Sequence, residues 1–320
     1  MKYFFWLAIV GVGLMFTPGK MFAQGNGTIS GTVVDPAGAV VPGAAVTATQ
    51  AGTGLLLSTT TNGEGTFVFP ALAPSVYDVA VAHPGFESYS ERGVQVRADA
   101  AVTVNVTLQA GSTTQTVTVS AETAQVDLTT GTLQAVIGTS QVNNLPLNGR
   151  NAAALTQLVA GVTAAPAAQA DQGATKTFPV AFTISANGTR VGQMNYMLDG
   201  GNNVDEYTNV NAPFPMPDAV QEFSVQTSNY NAEYGQNAGG VVNIITKSGT
   251  SQYHGDLFEY VRNRVFNAAN YFSYVNGVKT VDPLKRNQFG GTVGGPLSIP
   301  HLFHSDKTFF FAGYQRTINH

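Results

Sequence analysis

The sequence predicts a mainly β protein, and three observations carry that prediction. Charged residues make up only 11% of the 320 positions while glycine occurs 35 times, a composition of strands and turns rather than of helices. Apolar residues reach 43%, yet no long run sets them at helical spacing. Short apolar or alternating runs recur instead, each stopped by Gly, Pro, Asn or Asp.

The same composition excludes several functions. A net charge of -4 leaves no basic footprint, so nucleic acid is set aside as a partner. With no cysteine, neither a disulfide framework nor a thiolate metal site can form. His83, His254, His301, His304 and His320 make no zinc-peptidase spacing; His301 and His304, beside Pro300 and Phe303, read as a solvated turn. There is no nucleophile elbow and no phosphate-cradling loop, so neither an enzyme nor a cofactor is expected.

The chain opens with Lys2, an apolar stretch from Tyr3 to Phe16, a break at Thr17-Pro18-Gly19 and small residues near Ala23. This is the pattern of a secretory signal peptide over residues 1–24, cleaved near Ala23 or Gln24, and it is shorter than the roughly 20 apolar residues of a spanning helix. No later segment could cross a bilayer as a helix, so further insertion requires β-strands.

From Gly27 to Leu108 short strands alternate with turns: Thr28 to Val34, the Asp35-Pro36-Ala37-Gly38 turn, Ala45 to Thr49, and Leu55 to Thr61. Asn62-Gly63 then predicts a hairpin, followed by Gly65 to Phe69 and Tyr77 to Ala82. Val102, Val104, Val106 and Leu108 keep a period of two against Thr103, Asn105 and Thr107, which buries one face and wets the other. About 80 residues just support such a sandwich core.

Gly111 to Ser120 is polar and small-residued, a linker, with the β-prone segment Gln115, Thr116, Val117, Thr118, Val119, Ser120, Ala121 inside it. That segment reads either as an extended docking strand or as the last strand of the sandwich. Further on, Asn151 is an N-cap for a helix over Ala152 to Val159, with Leu155, Leu158 and Val159 on one face. Arg150, just before it, reads as half of an ion pair or as a solvated turn charge. Phe182 to Ser185 and Asn195 to Leu198 are strands, separated by a turn at Asn187-Gly188-Thr189-Arg190 and ended by Asp199-Gly200. Asn202 to Pro217 is a long loop of the length that often carries function.

Pro217 to Gly249 is the segment that organises the chain. A strand bearing Val220, Phe223 and Val225 leads to a loop with Tyr230, Tyr234 and Gly235, then to Gly239-Gly240 and the buried strand Val241 to Ile245. Beyond it, Tyr253 to Arg262, Asn287 to Gly295 and Thr308 to Arg316 each run about ten residues, the length of a transmembrane β-strand. Phe309-Phe310-Phe311 suits a lipid-facing aromatic girdle.

These strings carry a resemblance. Gly31, Asp35, Gly38, Pro42-Gly43, Val46, Thr61, Gly65, Phe67, Leu72, Tyr77 and Gly85-Phe86 resemble the carboxypeptidase regulatory-like domain, a transthyretin-like, carbohydrate-binding-like sandwich. LPLNGRN at 145–151, Asp199-Gly200, Tyr234-Gly235, Gly239-Gly240 with Asn243, NQFGGTVGGPL and KTFFFAGYQ resemble Oar-type TonB-dependent outer-membrane transporters. The resemblance implies a transthyretin-like β-sandwich at 25–110, a linker at 111–122 with a candidate TonB box at Gln115 to Ala121, an α+β plug domain at 123–250, and the first strands of an incomplete transmembrane β-barrel at 251–320. It implies plug–barrel contacts at Arg150 and Arg190, a plug signature at Asp199, Gly200, Tyr234, Gly235, Gly239, Gly240 and Asn243, and a TonB-type coupling protein as periplasmic partner. Uptake of a large solute across the outer membrane follows, whether siderophore, glycan or peptide. Three strands cannot close a barrel of about 22, so the expectation is the N-terminal part of a longer protein or a truncated reading frame. The competing reading is a secreted β-rich adhesion or carbohydrate-binding protein.

Overall fold

The structure, a computed structural model, describes residues 25–111, 116–120, 131–145, 147–164, 184–190, 192–205, 207, 210–230, 234, 237–269, 271–272, 274–281, 285–299 and 303–319. The segment read as a signal peptide, together with Gln115, Ala121 and Gly235, lies outside these residues. The chain is mainly β, in three successive bodies.

The first body holds β1 (Gly27–Val34), β2 (Ala45–Gln50), β3 (Leu56–Thr60), β4 (Thr66–Leu72), β5 (Ser75–Ala82), β6 (Ser88–Val96), β7 (Ala101–Thr103), β8 (Val106–Thr107) and β9 (Thr116–Ser120). One sheet runs β4-β1-β7, with β8 also on β1, and the other runs β3-β2-β5-β6-β9. Strict alternation places Ile29, Val33, Val46, Phe67, Val79, Val81, Val94 and Val96 in one shared core. Val102, Val104, Val106 and Leu108 join it while Thr103, Asn105 and Thr107 stay exposed, as the period of two predicts. Tyr77 is buried with its hydroxyl donating to Ala73 O at 3.0 Å, and burial pushes its phenol up to about 12.

Two expectations need correction here. Asn62-Gly63 forms a tight turn, with Asn62 Oδ1 accepting from the Glu64 and Thr66 amides. It joins β3 of one sheet to β4 of the other, so no hairpin forms; the left-handed residue is Gly65, at φ +70°. Strand β6 gave no sequence signal, because Ser90, Glu91 and Arg92 interrupt its apolar alternation.

The second body begins with β10 (Leu133–Gly138) and the short helix α1 (Thr139–Asn144). After a 3-10 turn at Asn148–Arg150 comes a 3-10 helix at Ala152–Leu158, capped by Asn151 Oδ1, which accepts from Ala153 N at 3.0 Å. The cap is as predicted, but Leu158 is exposed and Thr156 is buried in its stead, its hydroxyl satisfied by Ala153 O at 2.7 Å. Then follow β11 (Val162–Ala164), β12 (Ile184–Ala186), β13 (Met194–Leu198), β14 (Gly201–Asn202), β15 (Val204–Asp205), β16 (Val210–Asn211), a 3-10 turn at Pro217–Ala219, β17 (Val220–Ser228) and β18 (Gly240–Thr246). The main sheet of this body runs β10-β17-β18-β13-β14, parallel only between β13 and β18. Its apolar face, with Ile137, Tyr196, Phe223, Val225, Val242 and Ile244, packs on Leu155 and Val159.

The third body is β19 (His254–Arg262), a small β20 (Tyr274–Val275) and β21 (Val278–Lys279) hairpin turning at Asn276-Gly277, and the long β22 (Arg286–Ile299) and β23 (Phe303–Asn319). The order β19-β22-β23 is antiparallel throughout. Leu257, Val261, Phe289, Val293 and Tyr314 share the outer face and are exposed; Leu257 reaches 93%. Register also corrects the reading of Phe309-Phe310-Phe311 as one girdle. Phe310 pairs with Gly295 on the outer face, whereas Phe309 and Phe311 fall on the opposite one, Phe311 stacking on His254.

Candidate functional site

The second face of the main sheet of the middle body is buried, and it carries polar side chains among the apolar Val241 and Ile245. Alternation along β17 and β18 sends Phe223, Val225, Val242 and Ile244 to the apolar side, and Glu222, Ser224, Gln226 and Asn243 to the other. Ser224 and Asn243 are fully buried, a cost that only hydrogen bonding offsets.

The partner that satisfies them comes from the sandwich. Between β6 and β7 the loop at 97–100 holds Asp99 in the left-handed region at φ +56°. Its carboxylate accepts from Ser224 Oγ at 2.9 Å, Tyr234 Oη at 2.8 Å and Asn243 Nδ2 at 3.3 Å. Beside it, Ala98 N donates to Glu222 Oε1, and Gln134 Nε2 donates to Ala98 O at 2.9 Å. Sequence reasoning missed Asp99. The only signal was an aspartate between two alternating runs, indistinguishable from a solvated turn.

Of the residues read from the sequence as a plug signature, Asp199, Gly200, Tyr234 and Asn243 meet near this point, while Gly239 and Gly240 stand at the start of β18. Asp199 and Gly200, at φ +50° and +78°, form the two-residue turn between β13 and β14, with Leu198 opposite Gly201. The Asp199 carboxylate accepts from Thr246 N and Thr246 Oγ1 at 2.8 and 2.9 Å, and Gly200 N donates to Asn243 Oδ1 at 3.4 Å. Asn243 thus links the turn to Asp99. Gly239 and Gly240 enter β18 where a Cβ would lie 2.6 Å from Gln193 O and from Gln226 O respectively.

Burial raises the Glu222 carboxyl above its ordinary value of 4.5; the Ala98 amide and Arg97 pull it back and Asp99 adds to the rise. Its contribution to stability is therefore full below that ordinary value and is lost as pH rises through the higher folded value. Glu222→Gln keeps the acceptor oxygen without the buried charge. It is expected to raise the melting temperature at about pH 8 by about 2–4 °C, the gap closing below about pH 4. Melting curves at both pH values check this, and a gap that widens in acid contradicts it.

Arg150 builds a second contact. At φ +55°, it turns its side chain between bodies, pairing with Asp218 and lying over the rings of Phe258 at 4.4 Å and Tyr260 at 4.0 Å in β19. Both side chains of the ion pair are largely buried, at 8% and 15% exposed. Next to it, Gly149 O accepts from Gln288 Nε2 at 3.2 Å. Arg190 is placed differently: its side chain is exposed, with no hydrogen-bond or ion-pair partner among the described residues. Thr116 to Ser120 of the candidate TonB box form β9, parallel to β6 and at the edge of the sandwich sheet.

Comparison with known proteins gives first the classes of domain. Residues 28–109 match the carboxypeptidase regulatory-like domain, and residues 245–320 match the outer membrane beta barrel domain. A particular relative then aligns along 96% of the chain at 26% identity: the TonB-dependent transporter Oar of Myxococcus xanthus. The chain spans 28% of that protein's length. Among solved structures, the siderophore receptor PirA from Acinetobacter baumannii overlaps 58% of this chain and 24% of its own, with 22% identity and a TM-score of 0.39. A catechol 1,2-dioxygenase from Acinetobacter radioresistens overlaps 32% of this chain and 56% of its own, with 16% identity and a TM-score of 0.21. The resemblance to Oar-type transporters read from the sequence is thus met by a relative along nearly the whole chain, and that relative is a transporter, not an enzyme.

Proposed function

We propose that this chain is the N-terminal part of a TonB-dependent outer-membrane receptor for active uptake of a large solute. The observation that carries the reading is the third body: an antiparallel sheet following directly on β18, its outer face exposing Leu257, Val261, Phe289, Val293 and Tyr314 with Glu259 and Arg316 among them, its inner face turned to the middle body through Phe258, Tyr260 and Gln288. A match of residues 245–320 to an outer membrane barrel supports it, and weighs against a secreted adhesion or carbohydrate-binding protein. In this reading residues 25–110 are a periplasmic sandwich, 123–250 the plug, and 251–320 the opening of the barrel.

The ion pair and ring contacts of Arg150 then hold the plug to the barrel wall, and loosening them is a step in gating. A TonB-type protein engages the segment 115–121 as an added strand, for which β9 offers an open edge. The solute is a siderophore, a glycan or a peptide, selected by loops beyond these three strands.

Cell fractionation with heat-modifiable gel mobility tests the reading on the chain extended through its downstream reading frame. Outer-membrane recovery as a compact barrel supports it; a soluble, monomeric periplasmic product overturns it. Val117→Pro removes an amide from the middle of β9. Uptake is expected to fall on the order of tenfold, equivalent to about 1.4 kcal/mol, while solute binding stays unchanged. Parallel binding and transport assays check this.

A further inference from the structure

One end of the sandwich is built to dock. Register puts four of its chain segments at the same end: Gln50 lies opposite Tyr77, Ser75 opposite Val96, Gly27 opposite Leu72, and Thr28 opposite Ala101. From that end the turn at 73–75 offers Pro74 O to Gln221 Nε2 at 2.6 Å, and the loop at 97–100 offers Ala98 and Asp99 to β17 and β18. The turn after β2 offers Gly52 O to Ser251 N at 3.0 Å and to Ser251 Oγ at 3.2 Å, where the chain passes towards β19. Gly25, just before β1, sits so close that a Cβ would lie 2.2 Å from Asn243 Nδ2.

These contacts have one centre. The three donors on Asp99 come from two neighbouring strands and the loop between them, so a single carboxylate ties the sandwich to the hairpin on which the middle sheet is built. Charge-assisted bonds of this kind are the strong ones, and Ser224 and Asn243 have no solvent to replace them while the surfaces are together.

We propose that Asp99 anchors a clasp that makes the sandwich and the middle body one unit, independent of the covalent connection through residues 121–130. Strand β9 runs parallel to β6, and β6 leads straight into the loop that carries Asp99. A load taken up at β9 therefore reaches β17 and β18 through the clasp as well as through the covalent connection. This last step rests on the transport reading; the clasp itself does not.

The test uses the full chain with a site-specific protease sequence placed within 121–130. After cleavage, size-exclusion chromatography is expected to show residues 25–120 still eluting with the rest, and Asp99→Ala is expected to weaken that association at least tenfold. Release of the sandwich from the otherwise unchanged chain overturns the proposal. Retention in Asp99→Ala as strong as without it overturns the role of Asp99. Should Asp99→Ala fail to fold, Ser224→Ala with Tyr234→Phe removes two donors and leaves the carboxylate in place. An unchanged sandwich melting temperature shows that docking, not folding, has been lost. None of these outcomes depends on uptake, so a failed clasp and a failed transport assignment are told apart.

Discussion

Arg150→Met is expected to cost about 3–5 kcal/mol in the stability of the joined middle and C-terminal bodies, because it strands Asp218 as a buried carboxylate. The guanidinium now does three things at once: it neutralises Asp218, covers two aromatic faces, and fixes the turn at Asn148–Arg150 against β19. Methionine keeps much of the stem but has neither charge nor donors. The two ring contacts add about 0.5–2 kcal/mol each to the loss. Asp218→Asn in the Arg150→Met background is expected to recover part of it, since the stranded charge goes. Denaturant unfolding of the four members of this cycle measures the coupling. A coupling near zero would mean that the pair is solvated in practice and that the rings of Phe258 and Tyr260 carry the contact alone.

The second large effect is expected at the entry to β18. Gly240 has φ +132°, a region closed to side chains, and a Cβ there would sit 2.6 Å from Gln226 O in the neighbouring strand. Gly240→Ala must therefore break the first pairing of β17 with β18, where Gln226 faces Val241. A loss of about 3 kcal/mol or more is expected, combining backbone strain of about 1–3 kcal/mol with lost ladder bonds. Hydrogen exchange should show the amides around Gln226 and Val241 exposed while those of β1 and β2 remain protected. Equal protection in both bodies would falsify the local account.

What was legible in the sequence was whatever is written within a single short stretch. Val102 to Leu108 declares itself by burying alternate residues, Val241 to Ile245 by an unbroken apolar run that is buried on both faces, and the three long C-terminal strands by their length and their aromatic, glycine-bearing texture. Asp199-Gly200 was legible too, since a two-residue turn with both φ positive demands that chemistry. Strand β6 was not, because it pairs on both edges through backbone while showing charged side chains to water. Asn62-Gly63 misled for the opposite reason: turn chemistry fixes the local bend but does not say which sheet the next strand joins. Asp99 lay furthest out of reach, as its meaning depends on side chains more than a hundred residues away. The buried polar run of Glu222, Ser224 and Gln226 was the readable half of that contact, a strand whose second face was too polar to be left alone and is not left wet.

The strand order of the middle sheet sets a timetable for its assembly. Strand β10 is made early, yet its hydrogen-bonding partner β17 arrives roughly ninety residues later. Strand β13 must likewise wait for β18, a parallel neighbour that no hairpin can deliver. The sandwich has no such delay, since β1 to β8 close upon one another within their own segment. A chain threading vectorially into a compartment would thus finish its first body while the second still trails unpaired strand edges. That interval is when it most needs a holding chaperone, and it ends only when the Val220–Thr246 hairpin arrives to nucleate the sheet.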